Sequence, residues 1–181
     1  LRETRTYEII EDVKNFRSEI GVLFLNGYNR DVLTKMFDDN RLTYTSLFKA
    51  RPHIFVSKSN PLAKHKVVSL EDLEDFPYLS YDQGIHNSFY YSEEILSQIP
   101  HKKSIVVSDR ATLFNLLIGL DGYTIATGIL NSNLNGDNIV SIPLDVDDEI
   151  DIVYLKHEKA TLSKMGEKFL DNLVKEVTFD D

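Results

Sequence analysis

Cysteine is absent from this chain of 181 residues. Its absence excludes disulfides, thiolate zinc sites and cysteine nucleophiles, and it fits a reducing compartment. Long apolar runs are also missing, because the stretches at residues 21–25 and 113–120 are too short to cross a bilayer. The first residues lack the basic and then apolar pattern of a signal peptide. We therefore expect a cytoplasmic protein that does not engage a membrane.

Positive charge is scarce as well. The chain carries 20 Lys and Arg against 29 Asp and Glu, a formal net charge of -9, and its basic residues cluster no further than pairs such as Lys102-Lys103. A phosphate-binding surface has no electrostatic source here, so this chain by itself is not expected to bind nucleic acid. With 42% hydrophobic and 27% charged residues, the composition is that of a globular domain or two small lobes.

Catalytic motifs are missing too. The sequence has no phosphate loop, dinucleotide fingerprint, nucleophile elbow or paired-histidine metal motif. Asp82 and His86 could pair as a base and its orienting group, but a solvated loop explains them better. We predict no enzyme, no catalytic residue, no cofactor and no metal site. The histidines are scattered without metal-ligand spacing, at His53, His65, His86, His101 and His157.

Apolar strands alternate with amphipathic helices along the chain, which predicts an α/β fold with parallel sheets. The apolar run at residues 20–25 is typical of a strand buried on both faces, and Thr6 can cap the first helix. The Asn-rich stretch at 131–138 is predicted as a loop. Strands are predicted at residues 1–6, 20–25, 42–50, 53–56, 78–81, 104–107, 123–126, 139–142 and 150–155. Helices are predicted at residues 7–16, 29–39, 69–76, 88–98, 111–119 and 163–177.

Polar loops follow three of these strands, at Tyr81-Asp82-Gln83-Gly84, Ser108-Asp109-Arg110 and Thr127-Gly128. Open α/β sheets bind ligands outside the carboxyl ends of their strands, where helix N-termini offer backbone donors. Each loop also has a purely structural interpretation, as turn glycines, helix caps or a surface charge. Together the loops offer amides, hydroxyls and a guanidinium suited to a small carboxylate-bearing ligand.

Two motifs in the middle of the chain resemble LysR-type transcriptional regulators. Pro61-Leu62-Ala63 is similar to the "hPLA" motif of their effector domains, and Ser69-Leu70-Glu71-Asp72-Leu73 is similar to the "sLeDL" motif that follows. The stretch from Gly122 to Ile129 resembles the family's later glycine-bounded strand and loop, and Arg2-Glu3-Thr4 resembles an early strand. The resemblance covers nearly the whole chain in the family's order.

The resemblance implies a type 2 periplasmic-binding-protein fold. Two lobes of mixed, mostly parallel sheet flanked by helices are joined by two crossover strands in this fold. Lobe I would hold residues 1–53 and 141–181, without the family's first strand and helix, and lobe II residues 54–140. We therefore expect an N-terminally truncated regulator whose hinges lie near residues 51–57 and 138–143.

The resemblance further implies an effector-binding regulatory domain that senses a small polar or carboxylate metabolite in the cleft between lobes. Amino acids and sulfur-metabolism precursors are the first candidates by family analogy, and DNA would be bound only by an absent N-terminal helix-turn-helix of a homodimer or homotetramer. A periplasmic-type solute-binding protein of a transporter and a prephenate-dehydratase-like enzyme remain as alternatives. The expected effector contacts are Tyr81, Gln83, Gly84, Ser88, Ser108, Arg110 and Thr127.

Overall fold

The chain divides into two compact units in the computed structural model, which describes residues 1–130 and 136–178. Unit 1 comprises Leu1–Lys49 and Ile150–Asp181, and unit 2 comprises Ala50–Glu149. The lobe boundaries predicted at 53/54 and 140/141 lie near these divisions and stay a prediction. Of the predicted Asn-rich loop, residues 131–135 lie outside the described part of the chain.

Unit 1 is built on a three-stranded sheet in the order β1-β8-β2. Helix α1 lies against this sheet so closely that a Cβ on Gly21 of β1 would come within 2.6 Å of the Ile9 side chain. Ile10 and Val13 of α1 are buried. The elements of unit 1 are α1 (Thr6–Lys14), β1 (Gly21–Leu25), α2 (Arg30–Asp39), β2 (Leu42–Ala50), β8 (Ile150–His157) and α4 (Lys164–Thr178).

Three predictions for unit 1 are wrong. Residues 1–5 form no strand, because Arg2 donates a hydrogen bond of 2.5 Å to the buried Asp12 and Thr4 donates one to Glu8, both on α1. Thr6 is the first residue of α1 and not its cap. Strand β1 was expected in a parallel sheet but pairs antiparallel with β8, with Leu23 opposite Val153. Its burial alternates along the strand, as in a sheet covered on one face.

Unit 2 is built on a five-stranded sheet in the order β5-β4-β6-β3-β7. Strand β4 is parallel to β5 and β6, whereas β3 is antiparallel to β6 and β7. Strands β3 and β7 overlap the segments predicted as hinges, at residues 51–57 and 138–143. The elements of unit 2 are β3 (His53–Ser57), β4 (Tyr78–Tyr81), β5 (Ser104–Val107), α3 (Arg110–Gly119), β6 (Tyr123–Ala126) and β7 (Ile139–Pro143).

The core of unit 2 lies between α3 and one face of this sheet. Leu113 and Leu117 of α3 pack against alternate strand residues that include Phe55, Leu79 and Val107. Because side chains alternate along a strand, the neighbours of these residues point to the opposite face. Tyr78, Ser80, Ser104 and Val106 occupy that opposite face on β4 and β5.

The helix predicted at residues 88–98 does not form. Only Phe89–Tyr91 adopt a short 3₁₀ helix, and Leu96 takes a left-handed backbone conformation with φ 60° that ends any continued right-handed helix. Glu94 turns inward instead and accepts a hydrogen bond from the backbone N–H of Tyr81. The helix predicted at 69–76 shortens to the 3₁₀ turn Glu71–Leu73, where Ser69 and Asp72 bond each other's backbone N–H groups.

Within residues 1–130 and 136–178, every helix is too short or too polar to cross a membrane.

Candidate functional site

The three polar loops singled out from the sequence lie at one edge of the unit 2 sheet. Strands β5, β4 and β6 are neighbours and run parallel, so their carboxyl ends point the same way. The first loop is bonded to the end of β5, from which the second loop leaves, because the backbone N–H of Asp82 donates to the carbonyl oxygen of Val107 at 2.8 Å. The topology therefore brings the loops together at the edge where open α/β sheets bind ligands.

The loop after β5 begins helix α3. Asp109 is the N-cap, and its carboxylate accepts hydrogen bonds from the backbone N–H of Thr112 at 2.9 Å and from the Thr112 hydroxyl at 2.7 Å. These bonds lower the pKa of Asp109, that from the Thr112 backbone N–H most strongly. Ser108 and Arg110 are exposed, and the Arg110 guanidinium lies 6.0 Å from the centre of the Phe114 ring.

The loop after β6 contains the half-buried Thr127 and then Gly128. Gly128 has φ 85°, and a Cβ at this position would lie 2.5 Å from Nδ1 of His53. Glycine is needed here for both reasons, so the local structure by itself explains this residue.

A cleft of about 650 Å³ opens on the face of unit 2 opposite to α3. Its floor is formed by Tyr78 and Ser80 of β4 and by Ser104 and Val106 of β5, and the segment of residues 81–101 supplies the remaining walls. We call it the β4–β5 cleft. Its volume is in the range of small-molecule sites in proteins.

Only some of the predicted contact residues line this cleft. Tyr81, Gln83 and Gly84 do, whereas Ser108, Arg110 and Thr127 do not. Ser88 precedes the 3₁₀ helix that contributes Phe89 to the wall, and its hydroxyl accepts a hydrogen bond from the backbone N–H of Tyr90. The full set of predicted contacts is not tested by this geometry and stays a prediction.

Glu94 is a cleft residue that the sequence did not reveal. Its side chain is only 4% exposed, and one carboxyl oxygen accepts the backbone N–H of Tyr81 at 2.6 Å. Burial raises the pKa of Glu94 from 4.5 to about 8, and the hydrogen bond from Tyr81 opposes that rise. The carboxyl is therefore mostly protonated at pH 7. The sequence predicts a helix at residues 88–98, and a helix there gives no reason to expect Glu94 beside β4.

Tyr78 and His101 of the cleft lining form an aromatic group with Tyr123. The rings of Tyr78 and His101 stack with centres 3.7 Å apart, and Nδ1 of His101 lies 2.9 Å from the hydroxyl of Tyr123. Burial lowers the pKa of His101 and raises the pKa of Tyr123 to about 12, so all three rings are neutral at pH 7. The scattered spacing of the histidines predicts a structural or exposed role for His101. Nothing in the sequence around His101 indicates that it lines a cleft.

Three polar atoms of cleft residues are buried without a hydrogen-bond partner: the Tyr78 hydroxyl, Oε1 of Gln83 and Nε2 of His101. Native proteins leave few such atoms unpaired, because each costs about 1–3 kcal/mol. In the described part of the chain, no group of three or more His, Cys, Asp or Glu residues is placed to hold a metal ion.

Comparison with protein families gives one match that spans nearly the whole chain. The sequence model of the LysR substrate binding domain matches residues 1–178. A search of curated proteins found no significant match.

Solved structures give many matches. The effector binding domain of QuiR in complex with shikimate aligns with a TM-score of 0.64 at 19% identity, covering 95% of this chain and 78% of that one. The BenM effector binding domain with benzoate aligns with a TM-score of 0.63 at 20% identity, covering 98% and 77%. At these identities the likeness shows the fold alone.

Longer regulators match as well. A putative LysR family transcriptional regulator from Pseudomonas aeruginosa aligns with a TM-score of 0.63 at 16% identity and covers 97% of this chain, which spans 59% of that protein. These alignments confirm the predicted fold class, since the two-sheet α/β architecture is that of effector-binding domains with the type 2 periplasmic-binding-protein fold.

Proposed function

The chain belongs to the LysR substrate binding domain family, and from this premise we propose that it is the effector-sensing domain of a bacterial transcription regulator. The match over residues 1–178 is the observation that carries the proposal. This family match does not favour the alternative, a periplasmic-type solute-binding protein of a transporter. Sensing requires that the effector bind two arrangements of the protein with different affinity, so the proposed role is regulatory and involves no catalysis.

A small polar or carboxylate metabolite is the effector class we propose. Shikimate and benzoate, named with two of the solved domains, both carry a carboxylate. The contacts that we propose for the effector are those predicted from the sequence, most of them in the loops after β4, β5 and β6, which lie at one edge of the unit 2 sheet. Arg110 is the cation among these contacts, and it is exposed to solvent at the first residue of α3. A guanidinium there is suited to pairing with a carboxylate.

The whole protein would act on DNA through another segment. The formal charge of -9 provides no phosphate-binding surface here, and the chain spans only 59% and 58% of two Pseudomonas aeruginosa LysR regulators. We propose that a helix-turn-helix upstream of these residues binds the DNA, in a cytoplasmic homodimer or homotetramer. A gene whose upstream sequence encodes a signal peptide instead would overturn this part of the proposal.

A thermal-shift screen followed by calorimetry tests the effector proposal. The panel contains shikimate, benzoate, amino acids and other small carboxylates, because a ligand specific to the folded state raises the unfolding midpoint. We expect Arg110→Ala to weaken a carboxylate hit by about 1–3 kcal/mol. Lys66→Ala, which removes an exposed cation of unit 2 outside the predicted contacts and hinges, is the control. Equal affinities of wild type and Arg110→Ala would remove Arg110 from the site.

A further inference from the structure

We propose that the β4–β5 cleft is a binding site for a small molecule that carries an ammonium group. This inference goes beyond the proposed function, because it concerns a cleft inside unit 2 and a ligand of the opposite charge to a carboxylate effector. The inference does not depend on Arg110, because Arg110 does not line the cleft.

The unpaired polar atoms of the cleft call for a hydrogen-bond donor. Oε1 of Gln83 can only accept, and its side chain is buried to 7% exposure while its Nε2 donates to Glu93 at 3.3 Å. The hydroxyl of Tyr78, a residue 3% exposed, can accept as well. Nε2 of His101 becomes an acceptor when Nδ1 donates to the Tyr123 hydroxyl. An ammonium group brings three donors and no acceptor, so it can satisfy acceptors of this kind, foremost Oε1 of Gln83, which cannot donate.

The charge of the lining has the sign that an ammonium group requires. Asp82 and Glu94 are both lining residues, and no Lys or Arg occurs among the residues described as lining the cleft. A carboxylate would therefore enter a site without Lys or Arg beside Asp82 and would gain nothing from the protonated Glu94 carboxyl, whereas an ammonium group can pair with Glu94 once that carboxyl ionises. Tyr78 and Phe89 of the lining add apolar ring surface suited to the body of the ligand.

Glu94 couples this binding to pH. The titratable side chains around it are Glu93 beside it in the chain, Tyr78 of β4, and Asp82 and His101 of the cleft lining, whereas Tyr81 contacts it through a backbone N–H. With no cation among them, the buried carboxyl is mostly protonated below pH 8. An ammonium ligand favours its ionised form, so binding releases a proton and the affinity rises as the pH increases toward 8.

The test compares benzylamine, benzyl alcohol and benzoate, which share a ring and differ in the charge of the head group. Binding to the whole chain is followed by NMR through the backbone amides of residues 78–84, so that a ligand in the cleft is distinguished from one near Arg110. We expect the tightest binding in the cleft from benzylamine, with an affinity that rises between pH 6 and pH 8. Benzoate binding more tightly than benzylamine at these amides would overturn the proposal.

Variants separate the role of the carboxyl from that of the fold. Glu94→Gln keeps the shape and the acceptor for Tyr81, and we expect it to weaken benzylamine by about 10-fold or more at pH 8, to leave benzyl alcohol unchanged and to abolish the pH dependence. Glu71→Gln, at an exposed site of unit 2, is the control. If Glu94→Gln does not fold, Asp82→Asn replaces it in the test, and we expect this variant to weaken benzylamine binding by a smaller factor. Unchanged benzylamine affinity in the folded variant refutes the proposal, and it leaves the effector proposal untouched.

Discussion

The Glu94 carboxyl makes the stability of unit 2 depend on pH. Its pKa rises from 4.5 to about 8 through burial, so the folded protein holds a proton that the unfolded chain releases between these values. The contribution of Glu94 is therefore fully present below pH 4.5 and is lost as the pH rises toward 8, at up to about 1.4 kcal/mol per pH unit.

Urea unfolding of wild type and Glu94→Gln at pH 5, 7 and 9 measures this contribution. We expect the two proteins to be similarly stable at pH 5, where the carboxyl is neutral and nearly isosteric with the amide. As the pH rises, the free energy of unfolding of the wild type should fall relative to that of the variant, because only the wild type has a carboxyl that ionises. For Glu71→Gln, whose side chain is exposed, the difference in unfolding free energy from wild type should be the same at all three pH values. A constant difference for Glu94→Gln would mean that the carboxyl titrates as if it were in water.

Gly128 supports the loop after β6 by having no side chain. Its φ is 85°, and a Cβ would lie 2.5 Å from the His53 ring, whereas Gly136 has φ 70° and open space around the same position. We expect Gly136→Ala to cost about 1 kcal/mol of unfolding free energy through backbone strain. Gly128→Ala should cost about 1–3 kcal/mol more, because it adds the clash with the ring. Equal losses in chemical denaturation would show that the ring moves freely.

Helix α3 begins at the N-cap Asp109, in a loop for which the sequence allowed a capping role. Asp109 accepts two hydrogen bonds from Thr112, one from the backbone N–H and one from the hydroxyl. Asp109→Ala should lower the urea midpoint with an unchanged dependence on urea concentration, and Asp109→Asn should restore most of it, because the amide oxygen can still accept. If Ala and Asn behave alike, the cap contributes nothing measurable and α3 depends on Leu113 and Leu117 alone.

The accuracy of the sequence-based prediction differs between elements for physical reasons. The strands predicted at 42–50, 78–81, 104–107 and 123–126 are confirmed. The last three are short, largely apolar runs between turn signals, and the first ends at the break that Arg51-Pro52 imposes. The segment at 88–98 was misjudged because its structure depends on Glu94 bonding to a strand 13 residues away, a contact that no local pattern encodes.

The same limit applies to the candidate site. Loop positions at strand ends follow from the order of the elements, so Tyr81, Gln83 and Gly84 could be singled out. Tyr78 and His101 could not, because strand alternation only places Tyr78 on one of two faces, and the stacking of His101 on it depends on how residues 92–101 return to β5.

Chain order distinguishes the two units of the whole molecule. Unit 2 is one continuous segment, Ala50–Glu149, and all five strands of its sheet, its helix α3 and the β4–β5 cleft lie within it. Unit 1 is assembled from both ends of the chain. Its central strand β8 lies at Ile150–His157, between β1 and β2 of the N-terminal segment.

This arrangement predicts different behaviour for three fragments. Residues 50–149 should unfold cooperatively in urea, because every strand pairing of the sheet is retained. Residues 1–49 should show no cooperative transition, since β1 and β2 lose the strand between them, and adding residues 150–181 through a flexible linker should restore one. Circular dichroism and urea titration of the fragments provide the measurement. A cooperative transition in residues 1–49 alone would show that α1 and α2 hold β1 and β2 without β8, and the division into units would then not describe how the chain folds.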